Sequence, residues 1–202
     1  MTIKNIIFDV GNVFVYWDPY LLFKKFFNTR EEIDAFFEEV DFKNFIAVSD
    51  RGIPLETVVA ELAAKFPHHK KPIEAYNTDW EVTIPGSVEG TLEMMLELKK
   101  AGYGVYGLSN FTKEKFPICA EKHGFGKHFD GLVVSGDVGE IKPEEPIYKI
   151  LLSNYNLKPE ECVFLDDRQE NLDTAKRLGF HTILFTTAAK AEQELRAMGV
   201  KF

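Results

Sequence analysis

Lys4-Asn5-Ile6-Ile7-Phe8-Asp9-Val10-Gly11-Asn12-Val13 is the stretch whose reading decides the fold. Ile6, Ile7 and Phe8 form an apolar run that stops at a charge, with no polar alternation inside it. That pattern predicts a strand of a parallel sheet covered on both faces. Asp9 then falls at the strand's carboxyl end, and Gly11-Asn12 supplies the turn. Open α/β sheets bind ligands in the crevice beyond the carboxyl ends of their strands. Asp9 is therefore a candidate nucleophile or metal ligand, although an aspartate in this position also serves as an ordinary turn or helix cap.

Outward from this strand the chain changes character twice. From Asp18 to about Phe66 strand signals are scarce, and Leu21, Leu22 and Phe26, then Ile33, Phe36, Phe37 and Val40, recur at helical steps. Thr29 is the expected N-cap of the second of these helices. A further helix is predicted over 55–66, ended by Pro67, and another around 73–80, before Ile84-Pro85-Gly86 marks a return. From Pro85 on, strand and helix alternate. Helices are expected over 88–101, 145–155 and 171–178, and strands over 105–108, 131–134, 162–165 and 181–185, the last of the chain. This order predicts a doubly wound parallel sheet of residues 1–15 and 85–202, interrupted after its first strand by a helical insert of residues 16–84.

Composition narrows the function. The formal net charge of −8, with no basic run, argues against nucleic acid or an anionic membrane as partner. No apolar stretch approaches the roughly 18 residues of a membrane span, and the first strand starts too early for a signal peptide. Cys119 and Cys162 lack ligand spacing and read as reduced, packed thiols, so a cytoplasmic protein is expected. His68-His69 reads as a solvated loop rather than a metal site, and His123, His128 and His181 as structural. The Phe-rich insert reads as a packed bundle rather than a lipid pocket, with some surplus for a dimer face; monomer and homodimer are both open.

Three predicted strands end in polar groups: Asp9, Ser109-Asn110 and Asp166-Asp167. Lys142-Pro143 precedes a helix at a fourth loop. Parallel strands bring these groups to one edge of the sheet. Carboxylates are hard ligands of the kind Mg²⁺ takes, with phosphate oxygens completing its shell. A hydroxyl, an amide and an ammonium can meet charge developing on a phosphoryl group, and a carboxylate attacking phosphorus gives an aspartyl-phosphate.

Asp9-x-Gly-Asn, Ser109-Asn110, Lys142-Pro143 and Asp166-Asp167-x-x-x-Asn171 resemble, in this order, motifs I to IV of the haloacid dehalogenase (HAD) superfamily. The insert resembles its C1 cap, and the whole is similar to bacterial sugar-phosphate phosphatases that begin Asp-x-Gly-Asn-Val. The resemblance implies a Rossmann-like core and a Mg²⁺-dependent phosphatase of a small phosphorylated metabolite, a sugar phosphate by preference. It implies Asp9 as nucleophile and metal ligand, the Gly11 carbonyl and Asp167 as further ligands, and Asp166 as an outer or water-mediated ligand with Asn171 behind it. Ser109, Asn110 and Lys142 would bind phosphate.

One departure stands out. Most phosphatases of the superfamily carry Asp-x-Asp, whose second carboxylate is the general acid and base; here that position is Gly11. Such catalysis is typically worth about 10²–10⁴-fold, or roughly 3–5.5 kcal/mol. Water or a residue of the insert must take its place, with Asp18 the sequence's candidate. Tyr16, Trp17 and Trp80 lie near the hinges, where packing between insert and core is the expected role. Three other readings remain: a metal-free 2-haloacid dehalogenase, disfavoured by the Asp166-Asp167 pair; a response-regulator receiver, disfavoured by motif order; and a catalytically degenerate binding or regulatory protein on the same scaffold.

Overall fold

In the computed structural model, which describes residues 2–202, the core is one parallel sheet. Met1, the first residue of the expected core segment, lies outside the described residues. The strands are β1 (Asn5–Phe8), β2 (Gly104–Ser109), β3 (Gly131–Val134), β4 (Cys162–Asp166) and β5 (His181–Leu184), in the order β3-β2-β1-β4-β5. All neighbours pair in parallel. The loss of alternation in β1 has a direct cause. Ile6 and Phe8 pack on one face with Val105, Val163 and Leu165, while Ile7 packs on the other with Leu108, Cys162 and Phe164, and all are fully buried.

The chain steps from β1 outward to β2 and β3, then returns to place β4 and β5 on the other side of β1. The order therefore reverses at β1, where such sheets open a crevice. Register does the rest. Phe8 lies opposite Leu165, so the next residues, Asp9 and Asp166, leave neighbouring strands side by side. The Asp9 N–H donates to Leu165 O at 2.9 Å and extends the ladder to the carboxylate itself.

Between β1 and residue 84 the described residues form helices Tyr20–Phe23, Arg30–Glu39, Phe42–Asp50, Leu55–Lys65 and Lys70–Thr78, with 3₁₀ turns at Pro67–His69 and Trp80–Thr83. Leu22, Phe23, Ile33, Phe36, Phe45 and Ile73 are buried in a cluster separate from the two flanking the sheet. On that separate core we infer a cap domain over 16–84. Thr29 caps its second helix, its hydroxyl accepting from Glu32 N at 3.2 Å, while the Glu32 carboxylate accepts from Asn28 N at 2.7 Å. The two crossings between core and insert are paired: Tyr16 N donates to Gly86 O at 3.0 Å and Val88 N to Phe14 O at 2.8 Å.

Several boundaries differ from expectation. The helix expected from residue 88 starts at Thr91, because Gly90 before it takes φ +82°. The helix expected over 73–80 is Lys70–Thr78, since Pro72 in its first turn needs no N–H partner there. A helix over Ala188–Ala197 follows β5 where none was expected, capped by the Thr187 hydroxyl, which accepts from Lys190 N at 3.2 Å. Cys119 and Cys162 are both buried free thiols, as expected. Among the described residues no helix is long and apolar enough to cross a membrane.

Candidate active site

At the carboxyl edge of the sheet the Lys142 ammonium bridges two carboxylates, with Nζ 2.7 Å from Asp9 Oδ1 and 2.7 Å from Asp166 Oδ2. Asp166 is fully buried and both its oxygens are engaged. Oδ1 accepts from the Arg168 N–H at 2.8 Å, and Asn171 Nδ2 donates to Oδ1 and Oδ2 at 2.9 and 3.0 Å. The Tyr148 hydroxyl in turn donates to Asn171 O at 2.9 Å. Asp166 thus faces away from open space and holds Lys142 against Asp9.

Asp167 points the other way. Its Oδ2 accepts from Asn12 Nδ2 at 2.9 Å, and Asn12 Oδ1 accepts from Trp17 N at 3.1 Å, which fixes the amide. Oxygens of Asp9, Asp166 and Asp167 lie within 4.8 Å of one another. Burial pushes Asp9 well above the usual carboxylate range, Lys142 pulls it back, and the neighbouring Asp166 and Asp167 push it up again. Asp167 is raised for the same first reason, with Asn12 opposing. Burial alone would lower Lys142, but Asp166 and Asp9 outweigh it and hold the ammonium form.

Asn110 makes two bonds to the Lys142 backbone, Nδ2 donating to its carbonyl at 2.9 Å and Oδ1 accepting from its N–H at 2.8 Å. The amide expected at the phosphate thus also fixes the lysine's loop. Ser109 is fully buried at the end of β2, and its hydroxyl has no partner among the described residues. It does not line the adjoining cavity; Thr112 does, and its buried hydroxyl is likewise unpaired. Sequence reading passed over Thr112, which ends no strand.

That cavity, of about 1190 Å³, lies between sheet edge and insert. Asp9, Gly11, Asn110, Lys142 and Asp167 line it from the core, and Trp17, Phe37, Phe42, Ile46, Leu55 and Tyr76 from the insert. Trp80 lines it as well, edge-on to Phe111 at 6.4 Å and with Lys115 Nζ 5.6 Å from its ring centre. One expectation is corrected here. Trp17 faces the cavity rather than filling the junction, and Tyr16 is 49% exposed. The Phe-rich insert is a packed bundle, with Phe23, Phe36, Phe42 and Phe45 buried together; Phe42 and the half-buried Phe37, stacked at 4.1 Å, also form cavity wall.

Asp18 is not on that wall. Its Oδ1 accepts from Tyr20 N at 2.9 Å, so it starts the first helix of the insert. Asp50, which sequence reading did not single out, is on the wall and buried. His68 and His69 also depart from the solvated-loop expectation. They form a 3₁₀ turn in which both Nε2 atoms sit on the Glu39 carboxylate, at 2.8 and 2.9 Å, away from the cavity.

Comparison with known proteins places this geometry. A family model described as haloacid dehalogenase-like hydrolase matches residues 6–185. The chain is 39% identical over 116 residues to the bifunctional epoxide hydrolase 2 of Rattus norvegicus, a match covering 55% of this chain and 21% of that one. The chain thus spans about a fifth of that relative's length. It is 26% identical over 202 residues to the sesquiterpene phosphatase astK of Aspergillus oryzae, covering 98% of this chain and 97% of that one. Among solved structures, the magnesium complex of a HAD-family enzyme from Bacteroides thetaiotaomicron superposes with a TM-score of 0.76, covering 97% of this chain and 100% of that one. At 22% identity that likeness shows the fold.

Proposed function

The chain belongs to the haloacid dehalogenase-like hydrolase family, and on that premise we propose that it is a Mg²⁺-dependent phosphatase of small phosphomonoesters acting through Asp9. The observation that carries the reading is the bridge of Lys142 from Asp9 to Asp166, with Asp167 beside it, at the one cavity edge where the strand order reverses.

The donor set fits a hard cation. Asp9 Oδ1 is taken by Lys142 and the Val10 N–H, whereas Oδ2 has no hydrogen bond among the described residues. Asp167 Oδ1 and the Gly11 carbonyl are open in the same sense. Asp9, Asp167 and Gly11 would hold Mg²⁺, with Asp166 behind through Lys142. Bound there, the ion supplies positive charge that offsets repulsion between a phosphoryl group and the carboxylates.

The chain's own residues then have distinct work. Asp9 presents an oxygen to phosphorus, and the Lys142 ammonium neutralises charge on the transferring oxygens. Asp166 and Asn171 keep that ammonium aimed at Asp9, and Asn110 holds its backbone. Thr112, a residue of the cavity wall whose buried hydroxyl is unpaired, would be a further phosphate donor. The Ser109 hydroxyl, also without a partner among the described residues, sits at the end of β2 three residues earlier.

Trp17, Phe37, Phe42, Ile46 and Leu55 favour an ester with an apolar body over the fully hydroxylated sugar that motif resemblance prefers. The name of the Aspergillus relative, a sesquiterpene phosphatase, agrees with that direction. Three clustered carboxylates, two of them buried, argue against a metal-free site for a 2-haloacid, itself an anion. The nucleophile and its lysine, both retained, argue against a degenerate binding protein.

The test is hydrolysis of p-nitrophenyl phosphate with Mg²⁺ and with EDTA, using Asp9→Asn as blank. Turnover that needs the metal and is lost in the variant supports the reading. Equal turnover in the variant removes Asp9, and release of halide from a 2-haloacid with EDTA present would replace phosphatase by dehalogenase.

A further inference from the structure

Asp50 ends the helix Phe42–Asp50 of the insert and is only 9% exposed, on the wall of the cavity that holds Asp9 and Lys142. Its carboxylate has no hydrogen bond or ion pair among the described residues. A buried, unpartnered carboxylate costs stability, so its retention in a site cavity needs a reason. Its position is firmly built. Arg51 pairs with Glu144 of the core and lies 4.0 Å from Glu140. Gly52 takes φ +90° and approaches the core so closely that a Cβ on it would meet Gly136 O at 2.7 Å. The end of the helix is thereby seated on the core immediately after Asp50.

We propose that Asp50 is the general acid and base of this site, delivered by the insert in place of the carboxylate that Gly11 lacks. The inference rests on the phosphatase reading above. In the first step Asp9 forms an O–P bond, the bond from phosphorus to the ester oxygen breaks, and protonated Asp50 gives its proton to that oxygen, releasing an alcohol. In the second, Asp50 as carboxylate takes a proton from water, whose oxygen attacks phosphorus. The Asp9 O–P bond breaks, and inorganic phosphate leaves with Asp9 ionised and Asp50 protonated again. Burial raises Asp50 to about 7, against the pull of Lys142, so both forms are populated near neutrality. The space for the missing group is also present: a Cβ on Gly11 would meet nothing within 4 Å.

The experiment compares wild type, Asp50→Asn and the double variant Gly11→Asp/Asp50→Asn, with Mg²⁺, on p-nitrophenyl phosphate and hexyl phosphate. Nitrophenolate leaves without a proton, whereas hexanol needs one. Asp50→Asn is expected to lose about 10²–10³-fold in kcat/KM on the alkyl ester. On the aryl ester it should release one equivalent in a burst and then slow, because the water-activating base is gone. The double variant should recover at least tenfold on the alkyl ester, which also shows that the fold survives. An unchanged ratio of kcat/KM between the two esters in Asp50→Asn would overturn the inference. Turnover of neither ester by wild type would overturn the phosphatase reading itself, and this inference with it.

Discussion

Asn110 and Lys142 are joined twice, amide to backbone, with 2.9 Å from Asn110 Nδ2 to Lys142 O and 2.8 Å from Lys142 N to Asn110 Oδ1. The pair links the end of β2 to the loop that carries the lysine, so the lysine's aim depends on an amide in a different crossover. Asn110→Ala leaves a partly buried N–H and C=O without partners, at about 1–3 kcal/mol each. The variant should unfold at lower urea concentration than wild type and lose at least tenfold in kcat. Asn110→Asp, which keeps only the acceptor, should fall between them. Equilibrium unfolding and steady-state kinetics on the same preparations check this.

Asp50 makes a second, independent prediction through stability. Its folded value of about 7 lies above the ordinary 3.8, with the Lys142 ammonium facing it from the core and the Tyr76 hydroxyl near it in the insert. Between these two values the folded chain holds a proton that the unfolded chain has released, so this group makes stability fall as pH rises through the window and level off above it. Asp50→Asn lacks that fall. It should match wild type near pH 4 and exceed it at pH 8 by up to about 4 kcal/mol, read from urea denaturation at several pH values. A variant less stable than wild type at pH 8 would mean that Asp50 has an ionic partner.

The contrast between these two residues shows what was legible in the chain. Asp9 and Asp166-Asp167 stand out because each ends an apolar run, and parallel pairing carries such ends to one edge without further information. Lys142 was found by its order among the motifs. Asp50 lies inside a helix of ordinary amphipathic pattern, and its place over the site comes from contacts of Arg51 and Gly52 with residues far along the chain. Asp18 misled for the opposite reason: an aspartate beside a hinge has two uses, and here its carboxylate caps a helix. The helix Ala188–Ala197 was readable from Thr187 and its periodic alanines and leucine, but it follows the last strand, where alternation no longer demands an element.

Gly52 tests whether seating of the insert positions Asp50. Alanine at φ +90° is strained by about 1–3 kcal/mol, and here its Cβ also strikes the Gly136 carbonyl. Gly124 takes φ +75° with nothing near its missing Cβ, so Gly124→Ala carries backbone strain alone. Gly52→Ala should lower kcat/KM on hexyl phosphate more than on p-nitrophenyl phosphate, whereas Gly124→Ala should leave that ratio at the wild-type value.

The aromatic wall predicts chain-length dependence. Each methylene that moves from water onto apolar surface is worth about 0.8 kcal/mol, so kcat/KM for n-alkyl phosphates should rise about fourfold per methylene until the cavity is filled. Phe37→Ala and Trp17→Ala should flatten the series while leaving the shortest ester nearly unaffected. A flat wild-type series, with sugar phosphates preferred at equal size, would return the substrate to the hydroxylated class.

The central claim is that Asp9 carries the phosphoryl group, and the direct measurement is to trap it there. Enzyme mixed with Mg²⁺ and p-nitrophenyl phosphate is quenched in acid within one turnover, digested and examined by mass spectrometry, with Asp50→Asn included to prolong the intermediate. A phosphoryl group on the peptide containing Asp9, removed by hydroxylamine and absent from Asp9→Asn, is the predicted result. Turnover with no such adduct in either enzyme, or an adduct on a different residue, would contradict it.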